Sequence, residues 1–228
     1  MSLTDWSPCE RPAPTPLLGR YARVELLDWA VHGDGLFEAV CGEANNGLWT
    51  YMPVGPFPDR GAFEQVFEFV RHKFEWETLV IRSASTGEIL GMASYMRIRP
   101  EHGSVEVGCV TFGPKLKRTR EATDAMYLMA RHAFDDLGYR RYEWKFNNAN
   151  EASRRAAERY GFSFEGVFRN DMVVKGQSRD TAWYSITDEE WRVAKEAFER
   201  WLSPNNFDGK GRQRLSLTAV RMSESSAK

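Results

Sequence analysis

The chain has 228 residues, 42% of them hydrophobic and 13% aromatic, with a formal net charge of −1. That is enough apolar material for a full core, and the near-neutral balance excludes a global field that recruits nucleic acid or an anionic membrane. Cys9, Cys41 and Cys109 are odd in number and far apart, and the four histidines are scattered, so neither a disulfide framework nor a metal site is expected.

Residues 1–18, with Pro8, Pro12, Pro14 and Pro16, sustain neither helix nor central strand and read as an extended arm. Tyr21, Val24 and Leu26 alternate through a first strand from about Arg20 to Leu27. A short helix is expected over Asp34–Val40, and a second from Asp59, carrying Phe63, Val66, Phe67 and Val70 at helical spacing. Between them lies an aromatic loop with Pro and Gly breaks, Trp49 to Phe57. It reads either as a cover over the core or as a substrate wall, with Trp49 and Tyr51 as its candidate contacts. Three strands follow, Thr78–Arg82, Ile89–Ile98 and Ser104–Phe112, separated by turns at Ser85–Gly87 and Pro100–Gly103. They predict an antiparallel meander.

After Gly113–Pro114 a helix starts at Thr119, its N-cap, and runs to about Leu137, with Ala122, Met126, Met129, Ala130, Ala133 and Phe134 on one face. Tyr142, Trp144 and Phe146 then alternate with Glu143 and Lys145. A strand after a helix makes this a parallel step. Asn150 caps a short helix that ends at Tyr160 and Gly161. Phe162–Phe168 and Thr181–Ile186 supply two more strands. Thr187 and Glu190 form a capping box for a last helix with Trp191, Ala194, Phe198 and Trp201, stopped by Pro204. Residues 203–228 read as a polar tail wrapping the surface or a partner. No apolar run reaches membrane-span length and no signal-peptide core opens the chain, so a soluble cytoplasmic protein is the expectation.

Chemistry concentrates at Lys117-Arg118-Thr119-Arg120-Glu121-Ala122-Thr123. A cationic turn feeding a helix offers unpaired N–H groups and the positive dipole end to one anion, which suits a pyrophosphate. No Gly-rich fingerprint of a nucleotide-binding domain follows any strand.

The ordered set Val107-Gly108-Cys109-Val110, Lys117-Arg118-Thr119, Thr123, Asn150-Glu151-Ala152-Ser153 and Glu158-Arg159-Tyr160-Gly161-Phe162 resembles the GNAT superfamily of acyl-CoA N-acyltransferases. Within it the chain looks like the ribosomal-protein (RimJ/RimL-like) branch. The resemblance covers roughly residues 19–202. It implies an α/β (α+β) fold with a mixed, mainly antiparallel sheet flanked by helices and splayed at its parallel strand pair. It also implies acetyl-CoA as co-substrate, with no metal. The acceptor is an amine of unknown identity, neither nucleic acid nor membrane is a partner, and a homodimer stays open.

By this likeness the turn Lys117, Arg118, Thr119, Arg120, Glu121, Ala122 and Thr123 takes the pyrophosphate. The strand edge Cys109, Val110 and Phe112 pairs with the pantetheine arm, and Asn150 and Ser153 contact the cofactor. The family turn has Gln or Arg where Lys117 stands and Gly where Arg120 stands. An arginine there must turn aside or fold onto a phosphate. A tyrosine acid common in the family is replaced by Ala157, which leaves Ser153 as the nearest hydroxyl to serve a leaving thiolate. Glu106, on the strand leading to the thioester, is the candidate base for the amine proton. Alternation puts it on one face with Ser104, Gly108 and Val110, and Val105, Val107 and Cys109 on the other. A non-catalytic acyl-CoA-binding module is the competing reading.

Overall fold

The computed structural model describes residues 4–12 and 15–225. The rest of the predicted arm and tail, 1–3, 13–14 and 226–228, lies outside the described residues. Eight strands form one sheet in the order β1-β2-β3-β4-β5-β6-β8-β7. They are β1 (Leu17–Leu18), β2 (Ala22–Leu26), β3 (Glu77–Ser83), β4 (Ile89–Arg99), β5 (Ser104–Phe112), β6 (Arg141–Asn147), β7 (Ser163–Val174) and β8 (Gln177–Thr187). The neighbours pair antiparallel except β5 and β6, which are parallel. The mixed, mainly antiparallel sheet is therefore as expected.

Helices cover both faces. On one side lie α3 (Arg120–Arg131, continued by a π turn at His132–Asp136), α4 (Glu151–Tyr160), α5 (Asp188–Leu202) and α6 (Leu217–Ser225). They bury Val105, Val107, Tyr142, Trp144, Tyr184 and the Met126–Met129 stripe in the main core. On the other side α1 (Trp29–Val40) and α2 (Arg60–Phe74) close a second core of Leu36, Trp49, Phe57, Phe63, Phe67, Val80 and Met92.

The helix starts follow local chemistry. The side chains of Asp59, Thr119 and Asn150 accept from Ala62, Ala122 and Ser153 N–H groups, and Thr187 with Glu190 completes its capping box. Helix α1 begins earlier than expected because Asp28 is its cap, accepting from Ala30 N–H at 2.9 Å, and Trp29 packs edge-on against Phe63 at 5.4 Å. The β7–β8 hairpin is also longer than the sequence suggested. Its turn at Lys175-Gly176 is reached only after an exposed run through Met172 and Val173 that lacks a core-facing pattern.

The segments read as an extended arm and as a polar tail wrapping the surface or a partner both pack onto the domain where they are described. Leu17 pairs with Val24 and is buried, and Trp6 Nε1 donates to the Glu101 carbonyl. Beyond Leu202, a turn at Pro204–Asn206 and a bridge between Phe207 and Gln213 lead into α6, whose Leu217 and Val220 are each 1% exposed in the main core. The packed domain thus continues past the predicted boundary. The apolar residues of α6, Leu217, Val220 and Met222, are interleaved with polar ones, so the segment reads as a polar stretch in the sequence.

Candidate functional site

Strands β5 and β6 stay paired for three residues, Ser104 with Arg141, Val105 with Tyr142 and Glu106 with Glu143. Beyond that they diverge, although β5 runs on to Phe112 and β6 to Asn147. A bulge in β5 accompanies the divergence. Ser94 stands opposite Gly108 and Met92 opposite Thr111, so Cys109 and Val110 share the single residue Ala93. Cys109 has φ 48°, a left-handed conformation rare for a side chain of this kind, and Thr111 Oγ1 donates to its carbonyl at 3.2 Å. A bulge bends its strand and re-aims side chains, and non-glycine left-handed residues gather at functional sites. Here it also inverts the predicted alternation. Cys109 joins the α1/α2 core with the Glu106 face, whereas Val110 packs toward the main core.

A cavity of about 1620 Å³ fills the splay. One wall is Gly108 to Phe112, the other Trp144 to Phe146. One end is the turn Lys117 to Thr123 with Asn150, Ser153, Arg155 and Arg212, and the other holds Tyr51, Met52, Met96, Arg97, Glu106 and Arg179. The volume exceeds the 300–1,000 Å³ usual for one drug-sized ligand, which leaves room for a long ligand and a second molecule.

At the turn end, Arg118 has φ 63° and directs the chain into α3. Thr119 N–H donates to Leu116 O, and the Thr119 hydroxyl accepts from Ala122 N–H at 3.2 Å. Of the N–H groups that a helix start leaves without intrahelical partners, those of Arg120 and Glu121 remain for an anion. The side chains of Lys117, Arg118 and Arg155 carry no hydrogen bond or ion pair among the described residues. Arg120 has turned aside. Its guanidinium lies between the rings of Tyr21 and Phe207, at 4.8 and 5.0 Å, leaving the backbone open as a glycine would. These features fit a phosphorylated ligand. Asn150 spends its side-chain oxygen on the Ser153 N–H at 3.1 Å, so the cap and the cavity wall are one structure.

Glu106 lies at the root of the splay, 2% exposed. Burial pushes its carboxyl up to about 7, against the pull of the Lys145 ammonium at 3.2 Å and the Arg97 guanidinium at 3.7 Å. Gly108 keeps this pocket open: a side chain there would strike the Met96 sulfur and come within 2.9 Å of Glu106 Oε1.

Of the residues expected to form the site, Glu106, Cys109, Val110, Phe112, the turn Lys117 to Thr123, Asn150, Ser153 and Tyr51 all line this cavity. Trp49 does not. It is fully buried in the second core, edge-on to Phe57 at 4.9 Å, and its Nε1 donates to Val40 O. The reading of Trp49 as a substrate contact is corrected accordingly: its carbonyl instead accepts from Lys175 Nζ at 2.7 Å and so ties down the turn of the β7–β8 hairpin. Strand alternation marks Lys145 and Arg97 only as polar, and Arg179 lies before the expected start of its strand, so the sequence singles out none of the three. Tyr160 closes α4 beside Gly161. It stacks on Trp144 at 6.0 Å but also lines the cavity, and burial raises its phenol above the ordinary range.

Among the described residues no group of three or more His, Cys, Asp or Glu side chains is arranged to hold a metal ion, and no helix is long and apolar enough to cross a membrane.

Known proteins share this architecture. The chain aligns with a GCN5-related N-acetyltransferase from Brucella melitensis at 41% identity and TM-score 0.92, covering 96% of this chain and 100% of that one. A Chromobacterium violaceum protein described as a probable GNAT-family acetyltransferase matches at 36% identity and TM-score 0.79, over 84% and 96% of the two chains. YdaF of Bacillus subtilis, provisionally named a ribosomal N-acetyltransferase, is 28% identical over 109 residues, which is 48% of this chain and 59% of that protein. This chain therefore spans about three fifths of the length of that curated relative. Residues 23–163 match the acetyltransferase (GNAT) domain, and with the splayed sheet around them they establish that the chain belongs to that family.

Proposed function

We propose that the protein is an acetyl-CoA-dependent N-acetyltransferase that passes an acetyl group to a primary amine by direct attack in a ternary complex. The observation that carries this is one continuous cavity with a cationic helix start at one end, a bulged strand edge along its wall and a buried carboxylate at the other end. The Arg120 and Glu121 N–H groups with Lys117 and Arg118 hold the pyrophosphate, and the β5 edge from Cys109 to Phe112 holds the pantetheine arm. Acetyl-CoA supplies the activated acyl group.

A primary amine with pKa near 10.4 is unprotonated in only about one part in a few thousand at pH 7, a cost of roughly 4–5 kcal/mol. Glu106 meets that need. A carboxyl held near 7 is half ionised at neutral pH and basic enough to take the proton, directly or through a water. Lys145 and Arg97 keep a fraction of it charged despite burial. An N–H of the bulge, at Val110 or beside it, polarises the acyl carbonyl. Of the hydroxyls that line the cavity, Ser153 and Tyr160 on α4 are the ones we assign to the departing thiolate. Kinship with YdaF supports N-acetyl transfer, and holding both reactants in one cavity supplies part of the rate.

The test is thiol release from acetyl-CoA against an amine panel, for wild type and Glu106→Gln. Amine-dependent release is expected in wild type. It should fall about 100-fold or more in the variant at pH 7, the lower range for a lost general base, with acetyl-CoA affinity held within about twofold. A wild type that binds acetyl-CoA yet releases no thiol with any amine would leave only a binding module.

A further inference from the structure

The acceptor end carries positive charge that proton removal does not require. Arg179, on β8 opposite Met172, lines the cavity and is 7% exposed. Its Nε is buried with no hydrogen-bond partner, and its guanidinium makes no ion pair among the described residues. Asp171 and Glu106 act on it only at a distance. A buried, unpaired guanidinium is costly, and such a group calls for a partner that arrives with a ligand.

Its surroundings point the same way. Two and four residues along the same face of β8, Thr181 Oγ1 and Trp183 Nε1 are also buried without partners. Arg97 and Lys145 each sit 5.1 Å from the centre of the Trp183 ring, and both line the cavity. The nearby carboxylate of Glu143 is taken by Arg99 and Arg141, each at 2.8 Å. Three cations thus face this end of the cavity, and among the described residues Glu106 is the carboxylate that lines it there, Glu121 lying at the turn end. An acceptor with a second ammonium would bring like charge to Arg179, whereas a carboxylate matches the flat fork of a guanidinium through two parallel bonds.

We propose that the acceptor is a small amine that also carries a carboxylate, an amino-acid-type substrate whose carboxylate is taken by Arg179 while its amine faces Glu106. This rests on the acetyltransferase reading above and names its substrate class. Polyamines and simple alkylamines are poor acceptors.

Calorimetric titration of the CoA-loaded protein tests it, with the twenty standard L-amino acids and their α-amides as probes. The amides keep the amine and lose only the carboxylate. At least one amino acid should bind about tenfold or more tighter than its amide, the gain expected of a charge-assisted hydrogen bond. Arg179→Gln should erase that preference and Arg179→Lys should keep part of it, with unchanged CoA affinity showing that both variants are folded. Equal binding of acids and amides, a preference that survives Arg179→Gln, or no binding of any acid at millimolar concentration overturns the proposal. Uptake of CoA in the loading step reports the underlying reading separately: protein that takes up CoA but shows no acid preference contradicts the substrate class alone, and protein that takes up no CoA contradicts both.

Discussion

Glu106 serves two opposed ends, since burial that makes it basic also makes it costly. Its folded-state value near 7 lies above its ordinary 4.5, so between those two values the native state holds a proton the unfolded chain has released. Stability contributed by this group is therefore present below about pH 4.5 and lost as pH rises through 7, by at most about 3 kcal/mol. Glu106→Gln removes that slope. Thermal melts of both proteins from pH 5 to 8 should show the variant gaining on wild type as pH rises, while its turnover deficit should shrink only above about pH 7, where wild-type Glu106 is already ionised and the neutral fraction of the amine still rises. A constant difference in melting temperature across the range would place Glu106 in solvent. Arg120 gives a second test. Because its guanidinium is held by Tyr21 and Phe207, Arg120→Ala should cost about 1 kcal/mol of unfolding free energy and change acetyl-CoA affinity less than about threefold. A tenfold loss of affinity would mean that the side chain leaves the rings for a phosphate. The sequence posed both alternatives for Arg120 and could not choose, since the choice depends on Phe207 folding back from the C-terminal segment. Trp49 was misread for the same kind of reason: α2 brings Phe63 and Phe67 to it, and the loop before that helix folds Phe57 back onto its ring.

At the scale of elements, what could be read locally was read well. Asp59, Thr119, Asn150 with Gly161, and Thr187 with Glu190 each mark a helix end through hydrogen bonds within a few residues, so the sequence carries the whole signal. The bulge at Cys109 and Val110 was not legible. It exists only against Ala93 on a neighbouring strand, and it inverted an alternation that was correct up to Gly108. Gly108→Ala probes this corner. Overpacking against Met96 and Glu106 should cost about 1–3 kcal/mol and depress turnover more than acetyl-CoA affinity, measured by denaturant unfolding and steady-state kinetics. Helix α6 was likewise hidden in a polar stretch. Leu217 is 1% exposed beneath it, so Leu217→Ala should destabilise the protein by about 2–5 kcal/mol, the range for a buried leucine truncation. A loss under 0.5 kcal/mol would show that α6 is not part of the cooperative unit.

At the scale of the whole molecule, the order of elements was enough to expect a mixed sheet with one parallel pair, because a strand following a long amphipathic helix after a meander has few other places to go. The size of the opening was not, since it depends on where pairing stops. Three pairs hold β5 to β6, the bulge bends β5 away, and the space released joins the α3 helix start to the Glu106 pocket. The cations of the acceptor end come from β4, β6 and β8 and meet only in the folded sheet. The central claim is that this opening takes acetyl-CoA with its pyrophosphate on the first turn of α3. Calorimetric titration of acetyl-CoA against S-acetylpantetheine, which has the same acyl arm and no phosphates, at low and moderate salt addresses it directly. Acetyl-CoA should bind at least about tenfold tighter, with an advantage that shrinks as salt rises; equal affinities, unmoved by salt, would contradict a pyrophosphate held at this turn.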